Sequence, residues 1–212
     1  MKHNEQEITD TAKYYLNRRT QCTTTTTFRY VKSFINGKTL DIGMGTGEYL
    51  EMLPAGSIGL DVSEENISIV KEKGLEAIRA DINQALPFNN GSFQTVFCSH
   101  IIEHIDSPLH LLREAHRIIS YEGHIILAVP LEKTVVRLFK DRYFKDHTGH
   151  LYGLSVECME RLLEHAGFRC IEKYFNFPLL NRYRFFERCL QAASNNFWQY
   201  FCTMYWIVAR KK

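Results

Sequence analysis

Several absences narrow the reading. No apolar stretch of ~18 residues occurs anywhere in the 212-residue sequence, which argues against a membrane-spanning helix. The opening MKHNEQEITD has no apolar run behind its charges, so no secretory leader is expected and a cytoplasmic protein is. An excess of one charge is also missing. The 26 Lys and Arg stand against 24 Asp and Glu, a net charge of +2, whereas nucleic-acid-binding domains gather a clear basic excess on one face. A nucleic-acid partner is therefore not expected. Six cysteines are present, at Cys22, Cys98, Cys158, Cys170, Cys189 and Cys202, and no two share the Cys-x-x-Cys spacing of a zinc or redox site. No metal is expected, and the cysteines are read as reduced thiols. Cys98 and Cys170 fall in apolar strand-like runs, where a free cysteine behaves as a small core residue. There is no internal repeat, and the one low-complexity tract is the threonine run at 23–27.

What is present is ordinary in bulk and patterned in detail. Hydrophobic residues at 45% and charged residues at 24% are near globular averages, and 212 residues suit one α/β domain with decorations. Helical spacing at Ile8, Ala12, Tyr15 and Leu16 predicts a helix over 8–19. The threonine run then reads as a loop, and a short helix over 28–35 stops at the turn pair Asn36-Gly37. From Lys38 apolar runs alternate with helical patterns. Strands are expected at 39–42, 57–61, 75–81, 95–99 and 124–129, and helices at 48–53, 64–73 and 108–120. Such alternation indicates a parallel sheet covered on both faces. Beyond Pro130 come a mixed segment, a capped helix over 155–165 ended by Gly167, an alternating run over 168–175, and a last strand over 201–209. The two late strands suggest an antiparallel edge hairpin.

The strongest chemical signal is Leu40-Asp41-Ile42-Gly43-Met44-Gly45-Thr46-Gly47-Glu48, a buried strand running into a glycine turn. Glycines let the backbone turn tightly and approach a ligand closely. The third position of a dinucleotide fingerprint is Glu48 rather than glycine, and no Gly-Lys-Ser/Thr follows, so NAD and ATP are disfavoured. Carboxylates recur where three successive strands are expected to end, at Asp41, Asp61 and Asp81, and such ends line the ligand crevice of an open α/β sheet. An acid after the second strand can accept from ribose hydroxyls, and one after the third from an adenine amino group. Each alone is also a common loop residue or helix cap.

The order LDIGMGTG, GLDVS, ADI, SFQTVFCSHIIEHI and LLREAHRIISYEGHIILAVP resembles the class I S-adenosylmethionine-dependent methyltransferases. Within them the chain is most similar to the methyltransferase type 11 branch grouped around quinone-biosynthesis enzymes. The resemblance covers about 38–130, and DHTGHLYGLSVECMERLLEHAGF also looks like the helix and turn before that family's last strand pair. It implies a Rossmann-like α/β fold, with a mostly parallel seven-stranded sheet, an antiparallel edge hairpin and helices on both faces. It implies one domain over 38–212 and a helical lid over 1–37. The cofactor would be S-adenosylmethionine, yielding S-adenosylhomocysteine. Asp41, Gly43 and Gly45 would surround its methionine part, Asp61 and Val62 its ribose, Asp81 and Ile82 its adenine, and Ser99 and His100 its sulfonium. Gln94 stands where the family usually has an acid, and Ser120-Tyr121-Glu122-Gly123-His124 where it has Lys-Pro-Gly-Gly; both positions read as structural. Asp61→Ala is expected to weaken cofactor binding greatly while leaving the fold intact.

A methyl donor with a charged sulfur needs an aligned acceptor and a dry site, and a base only where the acceptor carries a proton. His100, His147 and His150 are the candidate bases. Glu103-His104 is expected to begin the next helix and organise its turn. Tyr15, Arg19, Tyr152 and Arg182 are candidate acceptor contacts. The mixture of arginines and aromatics over 177–200 suits an anionic or lipid-like acceptor, stacking on nucleic-acid bases, plain packing, or a homodimer contact. The acceptor is expected to be a small molecule or a lipid or sugar precursor. A cofactor-binding regulator without catalysis is the alternative, with an RNA methyltransferase disfavoured by the small net charge and by the absence of an Asn/Asp-Pro-Pro-Tyr motif.

Overall fold

A computed structural model describes residues 24–131, 134, 150–176 and 196–212. The expected helix over 8–19, Tyr15, Arg19, His147 and Arg182 lie outside these residues.

Seven strands form one sheet in the order β3-β2-β1-β4-β5-β7-β6. They are β1 (Thr39–Ile42), β2 (Ile58–Asp61), β3 (Glu76–Arg79), β4 (Phe93–Ser99), β5 (Ile119–Pro130), β6 (Phe168–Asn176) and β7 (Met204–Lys211). The first five pair in parallel, and β7 runs antiparallel between β5 and the edge strand β6. The α/β class, the parallel core and the antiparallel edge pair expected from the sequence are all present.

Period-two alternation along the strands separates two apolar faces. Leu40, Ile42, Val96, Ile125 and Leu127 pack with the inner stripes of α3 (Pro108–Ile118) and α4 (Val156–His165). On the other face Phe97, Ile126, Trp206 and Val208 bury Phe28 and Val31 of α1 (Thr24–Val31). Met44 and Leu50 meet Ile67 and Val70 of α2 (Glu64–Glu72). Three of these helices begin at a serine whose side chain accepts the third helical N–H: Ser63, Ser107 and Ser155. Such caps satisfy donors the helix cannot pair itself.

Local signals misplace some boundaries. The threonine run enters α1 from Thr24 instead of forming a loop. Threonine is a weak helix former, and burial of Phe28 and Val31 in the aromatic cluster overrides that preference. The helix expected over 48–53 is a single 3-10 turn, Leu50–Met52. Pro54 holds the preceding Leu53 extended, at φ −81 and ψ 161, which stops the helix. Glu103-His104 lies in a turn before Ser107 rather than at a helix start. Gln94 and Gly123 do hold the scaffold. The Gln94 Oε1 accepts from the Lys38 backbone N–H at 2.8 Å. A Cβ on Gly123 would stand 2.6 Å from the Gln94 carbonyl oxygen. No helix among the described residues is long and apolar enough to cross a membrane.

Candidate functional site

The order in which strands are added reverses between the parallel neighbours β1 and β4, from which the sheet is built outward to either side. In open α/β sheets the crevice past the carboxyl ends of such a pair is the usual ligand site. Here it is bordered by the turn after β1 and the turn after β4.

Asp41 sits within β1 on the face opposite Leu40 and Ile42, with Gly59 and Phe97 as its sheet neighbours. It is 2% exposed, and its Oδ2 has no hydrogen-bond partner. Burial, and next the charge of Asp61, push its pKa from 3.8 up to about 8. A buried, unpaired acid of this kind holds its proton until a cation arrives to stabilise the carboxylate. The turn that follows has positive φ at Gly43, Gly45 and Gly47. Beside Gly43 the space is already filled, since an added Cβ would lie 2.1 Å from Ile101 Cδ1. Gly43 therefore lets the turn after β4 close down on the turn after β1.

Asp61, the last residue of β2, ties this loop together. Its Oδ2 accepts from the Gly45 N–H at 2.9 Å and from the Asn66 side-chain amide at 3.1 Å, and its Oδ1 accepts from the Ser63 N–H at 2.9 Å. Burial raises its pKa, while the bonds from Ser63, Gly45 and Asn66 oppose the rise. Val62 beside it is exposed. The third acid differs from the expectation. Asp81 is two residues past the end of β3, exposed, and accepts from the Asn83 N–H in a turn of its own. Ile82 is half-buried there. The short β3 ends too early to carry Asp81 on the sheet, so the structure brings Asp41 and Asp61 together and leaves Asp81 on the adjoining turn.

Ser99, the last residue of β4, and His100, just past it, are half-buried. His100 has a φ of 56, a left-handed conformation uncommon outside glycine, and its N–H donates to the Ala128 carbonyl at 3.0 Å. Non-glycine residues in this region gather at functional sites. Behind it stands Glu103, 1% exposed, with neither carboxylate oxygen hydrogen-bonded. Its Oε1 lies 3.6 Å from His100 Nδ1 and 3.9 Å from His104 Nε2. His150 stacks edge-on against His104 at 4.7 Å, and the Glu103 carbonyl accepts from the Leu151 N–H at 2.8 Å, which fixes the two loops together. Tyr152 donates to the Asp106 carbonyl at 2.7 Å. The sequence reading took His100 and His150 separately and gave Glu103 a turn-forming part. The His-x-x-Glu-His spacing was a signal for His100, Glu103 and His104, and nothing in the sequence tied His150 to them.

Comparison with known proteins agrees with this geometry. Residues 40–127, from β1 into β5, match the family model described as a methyltransferase domain. The chain is 33% identical over 135 residues to a ubiquinone/menaquinone biosynthesis C-methyltransferase of Geotalea uraniireducens, covering 57% of this chain and 54% of the relative. It is 29% identical over 100 residues to a ubiquinone biosynthesis O-methyltransferase of Vibrio campbellii, covering 43% of each. Among solved structures, a SAM-dependent methyltransferase of Thermotoga maritima, described as a possible histamine N-methyltransferase, superposes with a TM-score of 0.73. It shares 19% identity, and 98% of each chain is covered. These matches identify a methyltransferase domain over residues 40–127, on a fold shared with S-adenosylmethionine-dependent methyltransferases. The chain spans about half the length of these two curated relatives.

The cofactor of this methyltransferase class carries a cationic α-ammonium, and the residues present fit it. The orphaned Asp41 Oδ2 is an anionic partner held in waiting at the switch point. Beside it the turn passes through Gly43, Gly45 and Gly47 at positive φ and carries no side chain of its own at those positions.

Proposed function

We propose that the chain transfers the methyl group of S-adenosylmethionine to a small-molecule, lipid or sugar-precursor acceptor in the cytoplasm. The observation that carries this reading is the buried Asp41 carboxyl, its Oδ2 unpartnered, beside the glycine turn where the strand order reverses. When bound, the cofactor supplies a methyl group activated by a positive sulfur. Asp41 accepts from its ammonium group, and Asp61, still holding Gly45, offers its remaining lone pair to a ribose hydroxyl. Ser99 and His100 border the place where the methyl group is delivered. His100, with Glu103 behind it, takes a proton from an acceptor hydroxyl or ammonium at its Nε2. Tyr152 and His150 border the acceptor on the side of the turn after β4. Two of the relatives named above are an O-methyltransferase and a C-methyltransferase of quinone biosynthesis, which supports a small acceptor. The small net charge speaks against nucleic acid.

Isothermal titration with S-adenosylmethionine and S-adenosylhomocysteine tests the cofactor site, and transfer of labelled methyl groups to a panel of phenols, amines and acyl compounds tests catalysis. Binding without transfer to any extract component would identify a regulator. No binding of either compound would remove the reading altogether.

A further inference from the structure

Among the described residues, Glu103 is a buried carboxyl group with neither oxygen hydrogen-bonded. A carboxylate removed from water without hydrogen bonds costs several kcal/mol unless a cation compensates it. The nearest cationic candidates, His100 Nδ1 and His104 Nε2, stop at 3.6 and 3.9 Å from its Oε1, too far for hydrogen bonds. Those distances have another meaning. Around a tetrahedral ion with bonds of ~2.1 Å, neighbouring ligand atoms stand ~3.4 Å apart. Ligand atoms of Glu103, His104 and His150 all lie within 4.8 Å of one another. Side-chain rotations of about an ångström would close them on a common centre.

We propose that Glu103, His104 and His150 form a divalent transition-metal site at the acceptor side of the crevice, of the zinc class. Two imidazoles and one carboxylate are a donor set that suits zinc or iron, and three protein ligands leave coordination positions open for an outside oxygen. The Leu151 N–H bond to the Glu103 carbonyl fixes His150 against His104, although the two are far apart in the sequence. His100, on the other side of the same Glu103 oxygen, is outside the trio and links it to the end of β4. Cys98, at that strand end, is within electrostatic reach of both Glu103 and Asp41, which puts the metal trio and the proposed cofactor carboxylate on neighbouring ground. The consequence for substrate class rests on the methyltransferase reading above: a cation at this spot selects an acceptor that presents a hydroxyl oxygen, and bound there the hydroxyl gives its proton to water more readily. Cation binding itself does not depend on that reading.

The test uses the full chain, stripped with a chelator and titrated with Co2+, whose visible absorption reports coordination geometry, followed by displacement with Zn2+. One Co2+ per chain with a tetrahedral or five-coordinate spectrum is expected. Glu103→Gln and His150→Ala should each weaken it at least tenfold, while His165→Ala, at an exposed and distant histidine, leaves it unchanged. Circular dichroism checks folding, and His150→Ala decides the matter if Glu103→Gln does not fold. Absence of stoichiometric binding overturns the proposal, as does binding that survives both substitutions. A parallel titration with S-adenosylmethionine separates the two ideas: Co2+ binding without cofactor binding would sink the methyltransferase reading and leave the metal site standing.

Discussion

Replacing Asp41 with asparagine should make the protein more stable and worse at its task. The folded chain holds the Asp41 carboxyl at a pKa of about 8, against 3.8 for the free group. Between those values the folded state binds a proton that the unfolded state has lost, so stability falls as pH rises through this window. At pH 7 the wild-type chain must keep that proton about three pH units above the ordinary value, a penalty of roughly 4 kcal/mol. Asparagine has nearly the same shape and needs no proton. Its gain should therefore reach at most about 4 kcal/mol at pH 7, fall by about 1.4 kcal/mol for each pH unit of acidification, and vanish near pH 4. Urea unfolding at a series of pH values measures it. A difference between the two proteins that stays flat from pH 5 to 7 would refute the argument. Binding should move the other way. Calorimetry on the variant should show S-adenosylmethionine affinity reduced tenfold or more, because the ammonium loses its charged partner. In the wild type at pH 7, cofactor binding should release a proton from Asp41, visible as a buffer-dependent binding enthalpy.

Asp61→Ala should lose cofactor binding and also about 1–3 kcal/mol of stability, because the N–H groups of Gly45 and Ser63 and the Asn66 amide lose their acceptor; a melting temperature equal to wild type would show that these bonds carry nothing. Gly123→Ala should cost about 1–3 kcal/mol, since its new methyl group meets the Gln94 carbonyl and Ile119; denaturant titration checks this. Arg117→Met should destabilise by roughly 2 kcal/mol, because the guanidinium donates to the carbonyls of Leu86 and Phe88 and pairs with Glu114, and thermal unfolding would show the loss. Its effect on cofactor affinity should be small.

The strands, the glycine turn and the parallel core were legible in the sequence because hydrophobic period and turn chemistry are local properties. Asp41 and Asp61 could be singled out for the same reason: each follows an apolar run by a fixed step. The strand end expected at Asp81 was misplaced because the spacing of acids says nothing about where a strand stops pairing, and β3 stops at Arg79. The threonine run was misread because helix propensity is weak beside the burial of Phe28 and Val31 under Trp206 and Phe97.

By itself the sequence determined the order of elements and the class of fold, since each element's amphipathic pattern dictates which face it buries. Only the tertiary structure decided that Asp41 would be left without a partner, that Ile101 would fill the space beside Gly43, and that His150 would come to rest against His104 and Glu103. Those outcomes depend on through-space packing of distant segments, which fixes solvation and electrostatics and leaves no periodic trace in the chain.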